Sequence, residues 1–441
     1  MKKNWKIITF TLILIVLTSL YMYYVRPVVD DELYNYGFGY NILEGLTPYK
    51  DFNMIIPPLF SYIVALFLFI FGSKLIVYHL LVSIMIGIIF YISYIKIGKG
   101  AFIIYLLLLL YPYIGYNIFA LLLLFILYYL EDKNIKYFDI LEPIIISFMF
   151  FTKQTLGLLV IPSLIFSKNR KKTLSIYLIS IFMFLLYLVL NDTIFEFFDY
   201  CLFGMFDFAN KNSTGIGILT IIEIILIIIL TYFGIKTKKK DIFICLFFQI
   251  MAFPIVNYVH FIISFTPIIY IIFKYYNNKY LLLFSTAGIM SFFLAFNFAV
   301  CIGFNNDYRY LEKYGIDNFM RGRTTYSITE SYILNSKKYI DKYGDYKPFI
   351  FGRFSYLMKL NHNIEINKYD IINNGNMGYN GANKYIKEID KYCSNNKCLF
   401  IINDEEDKIS ETVQTNMEIL NYVKKNYYKK YGSNIFSVYT N

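Results

Sequence analysis

Three acids stand together at Asp30, Asp31 and Glu32, directly behind the first apolar run of the chain. A carboxylate there is positioned to take a proton from a hydroxyl reacting at the bilayer surface, and acids so close to a membrane are usually kept for a reason. Other polar groups follow at short spacing. Tyr34 comes first, then a Gly-Leu-Thr-Pro-Tyr turn at 45–49, then Lys50 and Asp51, and Pro57-Pro58 ends the stretch. Residues 30–59 are the only long polar interruption in the first hundred, and the whole string argues against an ordinary solvated loop. Further along, His79, Lys153 in FTKQT and His260 in NYVH are candidates to meet an anionic substrate at the same surface. Each type also has a plain structural use: a lysine snorkels to the interface, and a histidine at the mouth of a span packs and hydrogen-bonds.

The elements that must position these groups are membrane helices. Of 441 residues, 57% are hydrophobic and only 17% charged, and apolar runs recur through residue 303. That excludes a soluble domain of this size and predicts a polytopic α-helical membrane protein. The net charge of +11 sits in short clusters between apolar runs, not on the continuous basic face that nucleic-acid binding needs. Such clusters read as topology signals. The five cysteines show no CxxC and no metal-ligand spacing. Cys393 and Cys398 flank a Ser-Asn-Asn-Lys turn and are expected to form a disulfide on the outer side.

The first run, residues 7–24, follows Lys2, Lys3 and Lys6 and has no small-residue cleavage pattern behind it. It reads as an uncleaved anchor with the N-terminus cytoplasmic, which puts an outer loop at 26–74. The apolar piece 58–71 decides the sidedness of everything after it. At ~14 residues it falls short of the roughly 20 a crossing needs, and as an interfacial helix it leaves both KIGKG and EDKNIK on the inner side. Runs then alternate to 281–303, predicting about eleven spans and further outer turns at YPYIGYN, TKQT, 191–215 and NYVH. The spans read as almost free of charge, and no internal repeat is visible. From residue 304 the chain turns polar. Strand patterns at KPFIFG, CLFIIN and FSVYT alternate with helical ones at 355–360, 382–392 and 410–429, predicting an extracytoplasmic α/β domain at 304–441 behind a membrane domain at 1–303.

The order of motifs in the outer loop resembles the bacterial membrane glycosyltransferases of the GT-C superfamily, and in particular the group of protein O-mannosyltransferases and the aminoarabinose transferase. The residues carrying the resemblance are Asp31-Glu32, Tyr34, 45–49, Asp51-Phe52 and 57–59, with weaker echoes in Lys153, in YVHFIISFTP and in KPFIFG. Two positions depart from the pattern. Relatives often carry a second acid in the next outer loop, where this chain has Asn117, and an Arg entering the second span, where it has His79.

The resemblance implies an enzyme, a glycosyltransferase that moves a sugar from a polyprenyl-phosphate donor to an extracytoplasmic cell-envelope acceptor (a cell-wall, lipid or protein group) with inversion. Asp31 would be the general base, with Asp30 adjacent and Glu32 supporting it. Tyr34, Lys50, Asp51, His79, Lys153 and His260 would bind substrate. No cofactor is certain from the resemblance; it leaves a divalent metal open, although no metal ligands are assigned and the missing second acid speaks against a two-acid metal site. Two other readings share the same sequence: a transporter or flippase for a lipid-linked glycan, and a non-catalytic envelope-glycan assembly protein.

Overall fold

A computed structural model describes residues 2–24, 30–111, 113–133, 135–206, 208, 217–253, 256–276, 288, 290–291, 308–310, 324–351, 359, 372, 377–379, 381–403, 417–433 and 436–441. Among these residues six helical segments are long and apolar enough to cross a membrane. They are Trp5–Tyr23, Leu75–Leu110, Gly115–Asp132, Arg170–Leu190, Ile218–Thr237 and Tyr258–Tyr275, with Leu59–Phe71 and Gln154–Phe166 as shorter apolar pieces. The expected count of about eleven is therefore not reproduced among the described residues. Ala101–Leu110 has 10 residues and Lys240–Ile250 has 11. At 1.5 Å per residue each reaches only about half of a ~30 Å hydrocarbon layer. The expected span at 281–303 lies almost wholly outside the described residues.

The helices run α1 (Lys2–Tyr24), α2 (Asp30–Leu43), α3 (Leu59–Phe71), α4 (Leu75–Ile97), α5 (Ala101–Leu110), α6 (Gly115–Asp132), α7 (Phe138–Thr152), α8 (Gln154–Val160) and α9 (Arg170–Leu190). Next come α10 (Ile194–Phe197), which passes into a π-helical turn at Phe198–Phe203, and α11 (Ile218–Thr237), α12 (Lys240–Ile250) and α13 (Tyr258–Tyr275). Helix α4 is the central one, buried along most of its length and packed by α1, α5 and α6. By contrast α9 and α11 are only 17% buried in their apolar windows, as helices bathed in lipid would be.

The polar stretch is not a loop throughout, because α2 occupies its first half. Three acids in the first turn of a helix are stabilised by its dipole, and Leu33, Tyr36 and Phe38 are buried behind them. Helix α2 packs along α3. Helix α3 begins and ends at one end of the bundle. Its Phe60 lies where a Cβ on Gly115, at the start of α6, would be only 2.4 Å from the ring, and just past its far end Ser73 O accepts the Tyr36 hydroxyl. The 58–71 piece therefore does not run from one end of the bundle to the other.

The opposite end gathers the basic turns. Lys96 and Lys274 both bind Asp132 at 2.9 Å, Lys274 also binds Asp241 at 2.7 Å, and Lys240 pairs with Glu142. KIGKG, EDKNIK and KTKKK thus share one face, as the alternation of runs requires. Inside the bundle, Glu223 of α11 is fully buried, accepts a bond from Ser264 Oγ at 2.6 Å and is bonded by Gln249. A single acid in a run of isoleucines is easily passed over, and its partners sit on two other helices.

In the C-terminal part, an antiparallel ribbon of β1 (Tyr308–Tyr310) and β2 (Thr324–Tyr326) leads into α14 (Ser327–Lys342). A four-stranded sheet follows, ordered β3-β4-β6-β5, from β3 (Lys347–Phe351), β4 (Cys398–Asn403), β5 (Tyr428–Gly432) and β6 (Phe436–Thr440). Strands β3 and β4 are parallel, joined through α15 (Gly381–Cys393), and the other pairings are antiparallel. Leu399 and Ile401 alternate with Phe400 and Ile402, which belong to a second apolar cluster with Ile389 of α15 and Val423 of α16 (Met417–Asn426). The three expected strands and the helix at 382–392 are present. The expected helix at 410–429 is shorter, because Tyr428–Gly432 pairs with β6 as an edge strand, while 404–416 and most of the expected helix at 355–360 lie outside the described residues. The Cys393–Cys398 disulfide forms, between Cα atoms 5.7 Å apart.

Candidate active site

Adjacent residues on a helix point about 100° apart, so the three acids cannot share one environment. Asp31 is exposed at the start of α2, whereas Glu32 is fully buried against α4. There its Oε1 meets Nε2 of His79 at 2.5 Å, and neither side chain is exposed. The Tyr23 ring stands edge-on to that imidazole at 5.9 Å. The side chain of Asp30 lies outside the described residues.

A second group reaches Asp31 from the YPYIGYN turn. Asn35 donates to the Asp31 carbonyl at 2.5 Å, and its own Oδ1 accepts the Tyr116 N–H at 3.3 Å. Lys153, in the break between α7 and α8, donates to Asn117 Oδ1 at 3.0 Å and lies over the Tyr116 ring at 5.5 Å. Asn117 in turn donates to the Tyr111 hydroxyl at 2.7 Å. Part of the Lys153 side chain remains open to solvent, yet burial around the ammonium lowers its pKa to about 8, with Asp31 pulling it back up. The first turn of α2, through Asn35, and Lys153 are thus both tied to the start of α6 at one end of the bundle.

The Gly-x-x-Pro-Tyr turn is held as a separate unit. Asp51 Oδ2 accepts the Thr47 N–H at 2.7 Å and closes the turn, leaving Lys50 exposed. Tyr49 is held at φ 70°, a strained value for a tyrosine, by its N–H on Phe52 O and its hydroxyl on Ile56 O at 2.7 Å. Tyr34 stacks on Phe38 with ring centres 6.5 Å apart. His260 lies in the first turn of α13, where its backbone N–H caps onto Asn257 Oδ1 at 3.0 Å. Of the residues the sequence singled out, the described contacts therefore join Glu32 to His79, and bring Asp31 and Lys153 into one network through Asn35, Tyr116 and Asn117. Asn35, Tyr111 and Tyr116 were not anticipated; an Asn four residues after an Asp on a helix is too common a pattern to mark a site.

Among the described residues no three His, Cys, Asp or Glu side chains converge as a metal would need.

No family profile and no curated protein sequence matches the chain. The solved structures do. One titled ArnT from Cupriavidus metallidurans bound to undecaprenyl phosphate is similar with a TM-score of 0.53 at 10% identity, over 98% of this chain and 97% of that one. The chain shares the fold of that structure. An Archaeoglobus fulgidus oligosaccharyltransferase in complex with Zn and sulfate is also similar, at TM-score 0.45 and 12% identity, over 97% of this chain and 72% of that one. Because the first likeness spans nearly both chains, the shared fold takes in the C-terminal sheet domain as well as the helices. Within that fold, Asn35 of α2 and Lys153 of the α7–α8 break both bond the start of α6, at Tyr116 and Asn117.

Proposed function

We propose that this chain is a membrane glycosyltransferase that moves a sugar from a polyprenyl-phosphate donor to an extracytoplasmic acceptor, inverting the anomeric carbon. The observation that carries the reading is the chain of bonds through Asn35, Tyr116 and Asn117 that brings the first turn of α2, where the exposed Asp31 stands, and Lys153 together at one end of the bundle. The two charges suit the two needs of such a transfer. The acceptor hydroxyl gives its proton to Asp31 as its oxygen bonds the anomeric carbon. The bond from that carbon to the phosphate oxygen breaks with its electron pair, and Lys153, oriented by Asn117 and Tyr116, stabilises the departing lipid phosphate.

Glu32 and His79 form a buried brace under the first turn of α2, fixing the angle at which Asp31 is presented. In this reading Asp30, Tyr34, Lys50, Asp51 and His260 line the approach of sugar or acceptor. The likeness to a structure holding undecaprenyl phosphate supports a polyprenyl-linked donor. The same reading has the N-terminus cytoplasmic, a membrane domain at 1–303 and an outer domain at 304–441. Incubating the purified chain with radiolabelled polyprenyl-phosphate sugars tests it: release of lipid phosphate that depends on Asp31 is the expected result, and no turnover of any such donor overturns it.

A further inference from the structure

Gln154 follows Lys153 directly and is almost fully buried. Its Nε2 donates to two backbone carbonyls far apart in sequence, Ile55 O at 2.8 Å and Cys201 O at 2.7 Å, with the Met205 sulfur against the same nitrogen. An amide nitrogen has two hydrogens, so the two carbonyls use both. One side chain therefore ties the exit of the acidic stretch and the π-helical turn Phe198–Phe203 to the residue beside the Lys153 cation. Single π-helical turns are frequent at functional sites.

That turn is also where the C-terminal domain is seated. Asp199 Oδ1 accepts the Tyr379 N–H at 3.0 Å, across 180 residues of sequence. Gly378, at φ 80°, has no room for a side chain: an added Cβ would lie 2.3 Å from Asp199 Oδ2. Next to Asp199, Tyr200 packs among Tyr49, Phe52 and Met54 of the acidic stretch, and Glu388 of α15 acts electrostatically on its hydroxyl. We propose that Gln154 is a positioning residue that links the seat of the C-terminal domain at Asp199 to the orientation of Lys153, so that docking of that domain sets how the carrier phosphate is held. This deepens the glycosyltransferase reading and rests on it.

The test measures binding of undecaprenyl phosphate to the full chain in detergent, across pH, for the parent and two variants. Gln154→Leu keeps the volume and removes both donors; it is expected to bind roughly tenfold more weakly, the size of coupling seen between residues in one network. Released from its setting, Lys153 is less enclosed, so the pH at which binding fades moves up toward the ordinary lysine range. A merely structural role would not move that pH. Gly378→Ala, outside the helical bundle, unseats the Asp199 contact without touching Gln154, and keeps the test decisive if Gln154→Leu fails to give a monodisperse protein. It is expected to weaken binding in the same direction, and the double variant to be no weaker than Gln154→Leu alone. Parental affinity and parental pH dependence in Gly378→Ala, or in a folded Gln154→Leu, overturn the inference. A parent that binds no undecaprenyl phosphate instead overturns the donor reading beneath it.

Discussion

Lys153 and Asn117 are 36 residues apart in sequence and 3.0 Å apart in the structure, and the amide orients the cation toward the region that Asp31 faces. An acid at 117 would have held Lys153 as an ion pair. A neutral carboxamide positions the ammonium without neutralising it, which in the proposed reaction leaves its charge for a phosphate. The Nε2 of His79 is engaged by Glu32, another pairing that the sequence alone does not show.

Asp31→Asn keeps the shape of the side chain and removes its basicity. Transfer should fall by about 10²-fold or more with the melting temperature unchanged. Turnover at the parental rate in steady-state assays would assign the base elsewhere, with Asp30→Asn the next variant to measure.

Burial lowers the Lys153 pKa to about 8, so its cation is present below that pH and lost above it. Undecaprenyl phosphate should therefore bind the free protein well at neutral pH and progressively less as pH rises through 8. Lys153→Met should abolish that pH dependence and bind weakly throughout; titration calorimetry that finds affinity flat up to the ordinary lysine range would contradict the assignment.

The Glu32–His79 pair is enclosed on all sides. Removing one partner takes a hydrogen bond from the other, buried polar group, at a cost of about 1–3 kcal/mol. His79→Ala and Glu32→Ala should each lower the thermal midpoint in detergent by several degrees, and the double variant by much less than the sum. Additive losses would mean that the two side chains stabilise the fold independently.

Sidedness can be read by thiol labelling in a background without native cysteines. Lys50→Cys should react with a membrane-impermeant reagent added to cells, and Lys99→Cys should not, because the two residues lie in turns at opposite ends of the bundle and both are exposed there. Reaction at both sites from outside would show that the chain crosses the membrane between them an even number of times.

The Cys393–Cys398 bond closes a loop of only five residues. It should stabilise the sheet domain by less than the ~3 kcal/mol expected of longer loops. A non-reduced peptide map in which both cysteines alkylate would show that the bond does not form in the cell.

By itself the sequence determined the class of the molecule. Apolar runs of span length leave no soluble alternative, basic turns assign alternate faces, and period-two patterns at KPFIFG, CLFIIN and FSVYT mark strands, because hydrophobic periodicity and charge act locally. It also marked the acidic stretch, since polar residues in order stand out against an apolar background. What it left undecided depends on contacts between distant segments. Whether Asp31 or Glu32 faces solvent is fixed by the pitch of α2 against α4, and the role of Asn117 by the approach of Lys153 from another helix. Glu223, buried by Gln249 and Ser264 on neighbouring helices, leaves no local trace. The run 101–114 reads as a span because composition records hydrophobicity, whereas the length of the helix within it, 10 residues at Ala101–Leu110, is set by packing.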